Sequence, residues 1–175
     1  HWVIIAKERA KRPKDFIKES KKEETTGVEC PFDQGKELLT PPEVLAFSDD
    51  PNRKENTPGW RVRVVPNLYP ALKPANDFVV EKKGIYSSGA ASGFHEIIAL
   101  RDHETHIALT PLEDIQLMLK AQRERVLFYK SKKFIRYAQM FYNYGKPAGA
   151  SFKHPHAQFI ALPLISSYVQ QELTN

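Results

Sequence analysis

The sequence predicts an α+β domain, with a mostly antiparallel sheet and one long helix packed on a face of that sheet. Polar and apolar residues alternate from Trp60 to Val65, as they do in a strand with one buried side. Apolar residues recur at helical spacing after Thr110. Strand composition returns at 134–142 and again at 158–162. Strands grouped before and after a helix, rather than alternating with helices, indicate this class of fold.

The composition is that of one globular domain. The 175 residues are 41% hydrophobic and 27% charged, which argues against extensive disorder. No apolar run approaches the roughly 18 residues that a membrane span requires, and charges interrupt the N-terminus too early for a signal peptide. Cys30 is the only cysteine, which excludes an internal disulfide, and we expect a cytoplasmic protein. Basic and acidic residues are intermixed, so we expect neither a nucleic-acid nor a membrane partner.

Local patterns predict the elements of the first third of the chain. The apolar run Trp2–Ala6 predicts a strand, and the charged, irregular residues 9–26 predict a surface loop. In the strand that begins at Trp60, the alternation predicts that Trp60, Val62 and Val64 all face the core.

The middle of the chain combines a predicted loop with a second strand. Residues 82–93 are rich in glycine and serine and predict a mobile loop, which leads into a strand at 94–100. Neighbours in a strand point to opposite faces, so either His95 or Glu96 can line a site while the other pairs with a lysine or arginine. Arg61 could also meet a phosphate, although a solvated strand face suits it equally well.

The long helix has a recognisable start. Thr110 is suited to the N-cap, Pro111 to the first helical position, and Glu113 would complete a capping box. The residues at helical spacing predict the face that packs on the sheet, and they are Ile115, Met118, Leu119, Gln122, Val126 and Tyr129.

Two histidines near the end of the chain carry the strongest chemical signal. His154 and His156 are two residues apart, so a strand would place both imidazoles on one face, together with Gln158. A His-x-His pair alone is more often structural than catalytic. The small residues 147–151 change that balance, because their backbone N–H groups and the Ser151 hydroxyl can bind phosphate oxygens. Spacing does not decide which histidine is the nucleophile.

A second group of residues has the chemistry of a metal site. Cysteine and histidine are the preferred ligands of zinc, and aspartate can replace a thiolate. The sequence offers such a set in Cys30, Asp33, His103 and His154. The alternative is a buried free cysteine beside an exposed aspartate, and the weak Cys-x-x-Asp spacing slightly favours that alternative.

Residues 148–158, which read AGASFKHPHAQ, resemble the signature of the galactose-1-phosphate uridylyltransferase family, a member of the histidine triad superfamily. The resemblance covers nearly the whole chain and keeps the order of the motifs. It implies a histidine-triad-like domain over residues 1–175 that forms the N-terminal half of a protein with two halves. The similar segments elsewhere are 2–6, 9–13, 30–32, 40–43, 58–72, 93–96 and 143–145.

The resemblance implies a two-step transfer of a UMP group between a UDP-sugar and a hexose 1-phosphate. His156 would be the nucleophile, because neutral imidazole attacks phosphorus near pH 7 and leaves again readily. Gln158 and Ser151 match positions that hold the transferred phosphoryl oxygens. Asn143 matches a position near the nucleotide phosphates. The remaining residues expected to bind substrate are Gly149, Arg61 and His95.

The same resemblance leaves three alternatives open. The segments 93–96 and 148–151 lean toward the branch of ADP-sugar phosphorylases, which transfer an adenylyl group. A hydrolase of the histidine triad type would use water as the acceptor. A nucleotide-binding fragment without catalysis is the third, because the family's second half, expected beyond Asn175, helps to bind the sugar and to form a homodimer.

The resemblance also implies a zinc ion. Cys30, His103 and His154 match zinc ligands, whereas Asp33 stands where the family usually has a second cysteine. Zinc is therefore the expected cofactor, with a weaker ligand at one position.

Overall fold

The computed structural model describes residues 2–6 and 29–174, and its centre is one five-stranded antiparallel sheet. In spatial order the strands are β1 Leu45–Ser48, β2 Trp60–Pro66, β5 Phe94–Leu100, β7 His156–Leu162 and β6 Tyr137–Tyr142. Strand β5 is therefore central, and β7 lies between β5 and the edge strand β6. This architecture, with one main helix against the sheet, confirms the predicted α+β class. An outlying hairpin is formed by β3 Val80–Lys83 and β4 Tyr86–Gly89.

Helix α1, Leu112–Lys130, packs on one face of the sheet and begins one residue later than predicted. Pro111 is its N-cap and forms no side-chain cap. Thr110 closes the preceding 3-10 turn instead, because its N–H donates to the Ile107 carbonyl oxygen and its hydroxyl donates to the His106 carbonyl oxygen. The predicted capping box with Glu113 is therefore wrong.

The buried face of α1 is also more polar than predicted. Leu119 and Val126 are exposed, whereas Asp114 and Arg125 are buried beside Met118. Asp114 and Arg125 can be buried because each forms an ion pair with a charged side chain of the sheet. Asp114 pairs with Arg61, and Arg125 pairs with Glu96. Apolar side chains of the sheet complete the core around Met118, Ala121 and Tyr129, and they include Val62, Val64, Ile98, Leu100, Ala157, Phe159 and Ala161.

A β-bulge in β2 changes the direction of Trp60. Phe47 of β1 is paired with Val62, but the next residue, Ser48, is paired with Trp60, so Arg61 is an extra residue in the ladder. The extra residue reverses the alternation. Trp60 therefore packs on the side of the sheet away from α1, and the prediction that it shares a face with Val62 was wrong.

Other local predictions had mixed outcomes. Residues 2–6 form no strand, and the Trp2 ring contacts Phe78 edge-on instead. The predicted loop 82–93 overlaps the β3–β4 hairpin, whose two-residue turn contains Gly84 at φ +63°. The predicted loop 9–26 lies outside the described residues.

The C-terminal part ends in a second, short helix. Helix α2, Ser167–Thr174, follows β7 and was not predicted. In the part of the chain that the structure describes, no helix has both the length and the apolar character that a membrane span requires.

Candidate active site

The candidate site lies on the face of the sheet opposite α1. His156 is the first residue of the interior strand β7. His156 and Gln158 face away from the helix, while Ala157 and Phe159 pack into the core beneath it. The predicted common face is thus found for His156 and Gln158, whereas His154 precedes the strand and does not line the cavity.

The His156 ring is held in one orientation by the backbone. Its Nδ1 atom is 2.7 Å from the carbonyl oxygen of His154. A carbonyl oxygen only accepts hydrogen bonds, so Nδ1 carries the hydrogen and donates it. Burial lowers the pKa of His156, which favours the neutral ring. The Nε2 lone pair of a neutral His156 is therefore available to an electrophile.

His156 borders a cavity of about 240 Å³. Its walls are mostly apolar, with the Phe32 ring 5.1 Å from the His156 ring. Polar groups enter it from Ser151 and Gln158. The cavity is smaller than the roughly 300–1,000 Å³ of pockets that enclose a whole drug-sized ligand. The described residues therefore surround only part of a ligand as large as a nucleotide sugar.

Gly149 and Ser151 shape the loop that leads to the nucleophile. Gly149 has φ +73°, a conformation that other residues adopt only with strain, and it lines the cavity. Ser151 is 9% exposed and lines the same cavity. The loop therefore brings backbone and a hydroxyl group close to His156, as the small residues 147–151 predict.

Four potential metal ligands converge beside the cavity. One donor atom from each of Cys30, Asp33, His103 and His154 lies within 4.8 Å of the others. The Asp33 oxygen Oδ1 is 2.6 Å from His103 Nδ1 and 3.1 Å from His154 Nδ1. Ligands about 2.0–2.1 Å from a tetrahedral zinc ion are themselves separated by about 3.3 Å, and His103 Nδ1 and His154 Nδ1 are 3.3 Å apart. The 2.6 Å contact between Asp33 and His103 is shorter and has the length of a hydrogen bond.

The hydrogen bonds of His154 support a cation at this position. His154 Nε2 is 2.7 Å from the Leu100 carbonyl oxygen, so the hydrogen of the neutral ring is on Nε2. Burial lowers the pKa of His154, which favours that neutral form. The His154 Nδ1 atom then has a lone pair and no hydrogen, and it faces an oxygen of the Asp33 carboxylate. A cation between the two atoms would offset the repulsion between their lone pairs. The donor set thus fits a metal ion and favours one that accepts sulfur and nitrogen ligands.

His154 connects this group to the nucleophile. Its side chain belongs to the metal-binding group, and its carbonyl oxygen accepts the hydrogen bond from His156. A ligand that holds the His154 side chain therefore also fixes the acceptor that orients His156.

Three predicted substrate-binding residues lie elsewhere. The bulge turns Arg61 toward α1, where its Nε atom is 2.6 Å from Asp114 Oδ1. Asn143 follows directly after β6 and is not among the residues that line the cavity. His95 does not line the cavity either, but its Nε2 atom is 3.0 Å from Gln158 Oε1.

Phe32 and Asn67 are among the cavity residues that were not predicted as members of the site. Phe32 packs against both His154 and His156, and Asn67 lines the cavity and contacts His95. Both belong to segments that carry the family resemblance, which was the available signal. Periodicity could not find them, because each lies in a loop.

A buried imidazole with an available nitrogen, beside small-residue backbone and amide groups, is suited to group transfer at phosphorus. The family model described as the N-terminal domain of galactose-1-phosphate uridyl transferase matches residues 1–165. The chain belongs to that family, as its motifs predict.

Individual relatives agree with this membership. An ADP-glucose phosphorylase of Arabidopsis thaliana is 32% identical over 98% of this chain and 48% of its own length. A galactose-1-phosphate uridylyltransferase of Thermotoga maritima is 27% identical over 98% of the chain and 46% of its own length. A crystal structure of an Arabidopsis thaliana ADP-glucose phosphorylase with bound ADP-glucose aligns with a TM-score of 0.68 and 29% identity, over 95% of this chain and 47% of that one. The chain therefore spans about half the length of these relatives.

Proposed function

We propose that this chain carries the nucleophile of an enzyme that transfers a nucleotidyl group from a nucleotide sugar to a phosphate acceptor. The observation that carries the proposal is the hydrogen bond from His156 Nδ1 to the His154 carbonyl oxygen, 2.7 Å long. It fixes the tautomer in which Nε2 can attack. The Nε2 atom forms a bond to the α-phosphorus, and the bond from that phosphorus to the sugar 1-phosphate breaks. An acceptor phosphate oxygen then takes the nucleotidyl group and releases His156.

Neighbouring residues support both steps. Ser151 and Gln158 are proposed to donate hydrogen bonds to the phosphoryl oxygens, whose charge grows as the phosphorus is attacked. The Gly149 backbone lets the phosphates approach closely. The apolar walls exclude water, which favours a phosphate acceptor over hydrolysis.

Two nucleotides are candidates for the transferred group. The sequence favours a UMP group, exchanged between a UDP-sugar and a hexose 1-phosphate, and the family model and the Thermotoga maritima relative support it. The relative that is 32% identical and the structure with bound ADP-glucose support an adenylyl group instead. Both candidates use the same His156 chemistry, so the choice between them rests on the donor.

The metal and the assembly complete the proposal. Zinc is the ion proposed for Cys30, Asp33, His103 and His154, where it would hold the His154 segment in place. A second half of the protein is proposed to supply the rest of the sugar site and the contacts of a homodimer, because the described cavity encloses only part of a nucleotide sugar.

The experiment is to incubate the full-length protein with ADP-glucose or UDP-glucose that carries a radioactive α-phosphorus. We expect the label to become covalently bound to the protein, in an acid-labile, base-stable bond typical of phosphohistidine. His156→Gly should abolish the label, since no other group takes over the nucleophile. His106→Asn is the matched control and should be labelled like the wild type, because His106 caps a 3-10 turn, packs against Tyr144 and does not line the cavity.

Each outcome has a distinct meaning. Label that persists in His156→Gly would remove the assignment of the nucleophile. Binding of the nucleotide sugar by calorimetry without any covalent label would indicate a nucleotide-binding module instead. The donor that labels faster identifies the transferred group.

A further inference from the structure

His95 lies directly behind Gln158, on the same face of the sheet and on the neighbouring strand. Its Nε2 atom is 3.0 Å from Gln158 Oε1. His95 is only 5% exposed and does not line the cavity, whereas Gln158 does. Any effect of His95 on a bound substrate must therefore pass through a neighbour, and Gln158 is a neighbour that reaches the cavity.

The hydrogen on the His95 ring can be placed from its contacts. The Ala71 N–H donates to His95 Nδ1 at 2.9 Å, so the hydrogen of the neutral ring is on Nε2. The Asn67 amide nitrogen is 3.1 Å from Nε2, but it cannot accept a hydrogen bond. Asn67 is held in that orientation because its oxygen accepts from the Tyr69 N–H at 2.9 Å. The His95 Nε2–H group therefore donates to the Gln158 oxygen.

This hydrogen bond decides which end of the Gln158 amide faces the cavity. The oxygen and the NH₂ group of an amide have nearly the same shape, so packing alone does not choose between the two flips. A flipped Gln158 would set its NH₂ group against the His95 N–H, donor against donor. With the oxygen held by His95, the NH₂ group is directed the other way. In residues 2–6 and 29–174, no hydrogen bond donated by that NH₂ group is found.

We propose that His95 is a positioning residue: its Nε2–H group fixes Gln158 with the NH₂ group toward the cavity, where that group donates to an oxygen of the transferring phosphoryl group. The inference rests on the nucleotidyl transfer proposed above. Gln158 and His156 are two residues apart on one strand face, a distance of about 7 Å between Cα atoms. A phosphorus atom bonded to His156 is therefore within reach of the Gln158 amide.

Two substitutions separate this role from a structural one. In His95→Asn the shorter amide can still accept from the Ala71 N–H, but it cannot reach Gln158. In His95→Gln the longer side chain can place an NH₂ group near the position of Nε2 and donate to Gln158. The measurements are the rate constant of nucleotidyl labelling at saturating donor, the Kd of the donor by calorimetry, and the unfolding temperature, all on the full-length protein.

We expect His95→Asn to lower the labelling rate constant roughly tenfold to a hundredfold, with the Kd within threefold of the wild type. His95→Gln should recover most of that loss. The reverse order would show that His95 serves to anchor the loop at Ala71, and it would overturn the proposal. If His95→Asn does not fold, His95→Gln decides alone, because a tenfold loss in this folded variant also overturns it.

A double-mutant cycle tests whether His95 acts through Gln158. If it does, His95→Asn combined with Gln158→Ala should label no more slowly than Gln158→Ala alone. Losses that multiply would show that the two residues act independently and would refute the positioning role. A wild type that takes no label from either donor refutes the proposed function itself, so the two failures are distinguishable.

Discussion

Two regions of the central sheet, the Glu96 network under α1 and the cavity around His156, bury polar groups in opposite ways. His95 and Glu96 are neighbours on β5, and both are at most 5% exposed. Glu96 points toward α1 and His95 toward the cavity. On the helix face the polar groups use up their hydrogen bonds on one another. On the cavity face, groups such as His156 Nε2 and the Gln158 amide keep capacity for a ligand.

The helix face shows what a closed polar network looks like. Arg125 donates to both oxygens of Glu96, at 2.9 and 2.7 Å, and the Tyr129 hydroxyl donates to the same carboxylate at 2.6 Å. Burial and the Glu96 charge raise the pKa of Tyr129, so its phenol stays protonated and keeps donating. This network anchors α1 to β5 and has no opening to the cavity.

The difference between the faces teaches that burial of polar groups does not by itself mark an active site. Glu96 and His95 are similarly buried, but only His95 contacts a residue that lines the cavity. The useful distinction is whether hydrogen bonds within the protein already satisfy the buried polar atoms. Substitutions in the Glu96 network should therefore change stability, and those of polar residues that line the cavity should change chemistry.

The largest expected change in stability is on the helix face. Arg125→Met leaves the Glu96 charge buried and unpaired, which should lower the free energy of unfolding by about 3–5 kcal/mol. Urea unfolding of the full-length protein measures it. Arg123→Met is the matched control on the same helix, because Arg123 is exposed and its partner is the adjacent Glu124.

The same variant also tests the separation of the two faces. Labelling of His156 per folded molecule should change less than threefold in Arg125→Met. A variant that keeps its stability but loses labelling would show that the helix-face network serves the chemistry.

An intermediate effect is expected at the metal-binding group on the cavity side. Asp33→Asn should lower zinc affinity at least tenfold, because an amide oxygen is a weaker ligand than a carboxylate. Asp33→Cys should raise it, since it supplies a second thiolate. Metal analysis after dialysis against a chelator, together with the unfolding temperature, provides a readout that does not depend on activity.

Asp102→Asn is the control for this prediction. Asp102 is next to His103 in the sequence, but its carboxylate is exposed and pairs with Arg101. Equal zinc content in Asp33→Asn and Asp102→Asn would leave Asp33 as an ordinary turn residue.

The smallest effect is expected at Arg61. Its side chain lies toward α1 and bonds to Asp114 and Asp49, so Arg61→Gln should change the labelling rate less than twofold. The rate at several donor concentrations checks this. A tenfold rise in KM would mean that Arg61 leaves Asp114 to bind substrate. A residue of the helix face would then also contribute to the substrate site.

Much of the fold follows from local pattern. The strand at 94–100 and the last strand were predicted because composition and proline boundaries act within a few residues. The helix start was misplaced because the 3-10 turn before it competes for Thr110. The direction of Trp60 was missed because a bulge depends on how β1 pairs with β2, which the sequence of β2 alone does not contain.

The sequence by itself determined the family, the α+β class and the residues around His156, because these depend on motif order and on spacing within single strands. Only the tertiary structure decided which polar residues have their hydrogen bonds satisfied within the protein. It turned Arg61 away from the cavity, joined Cys30 and Asp33 to two distant histidines, and set His95 against Gln158. Those relations join residues far apart in the chain, and their geometry is fixed only when the strands pair and the loops pack.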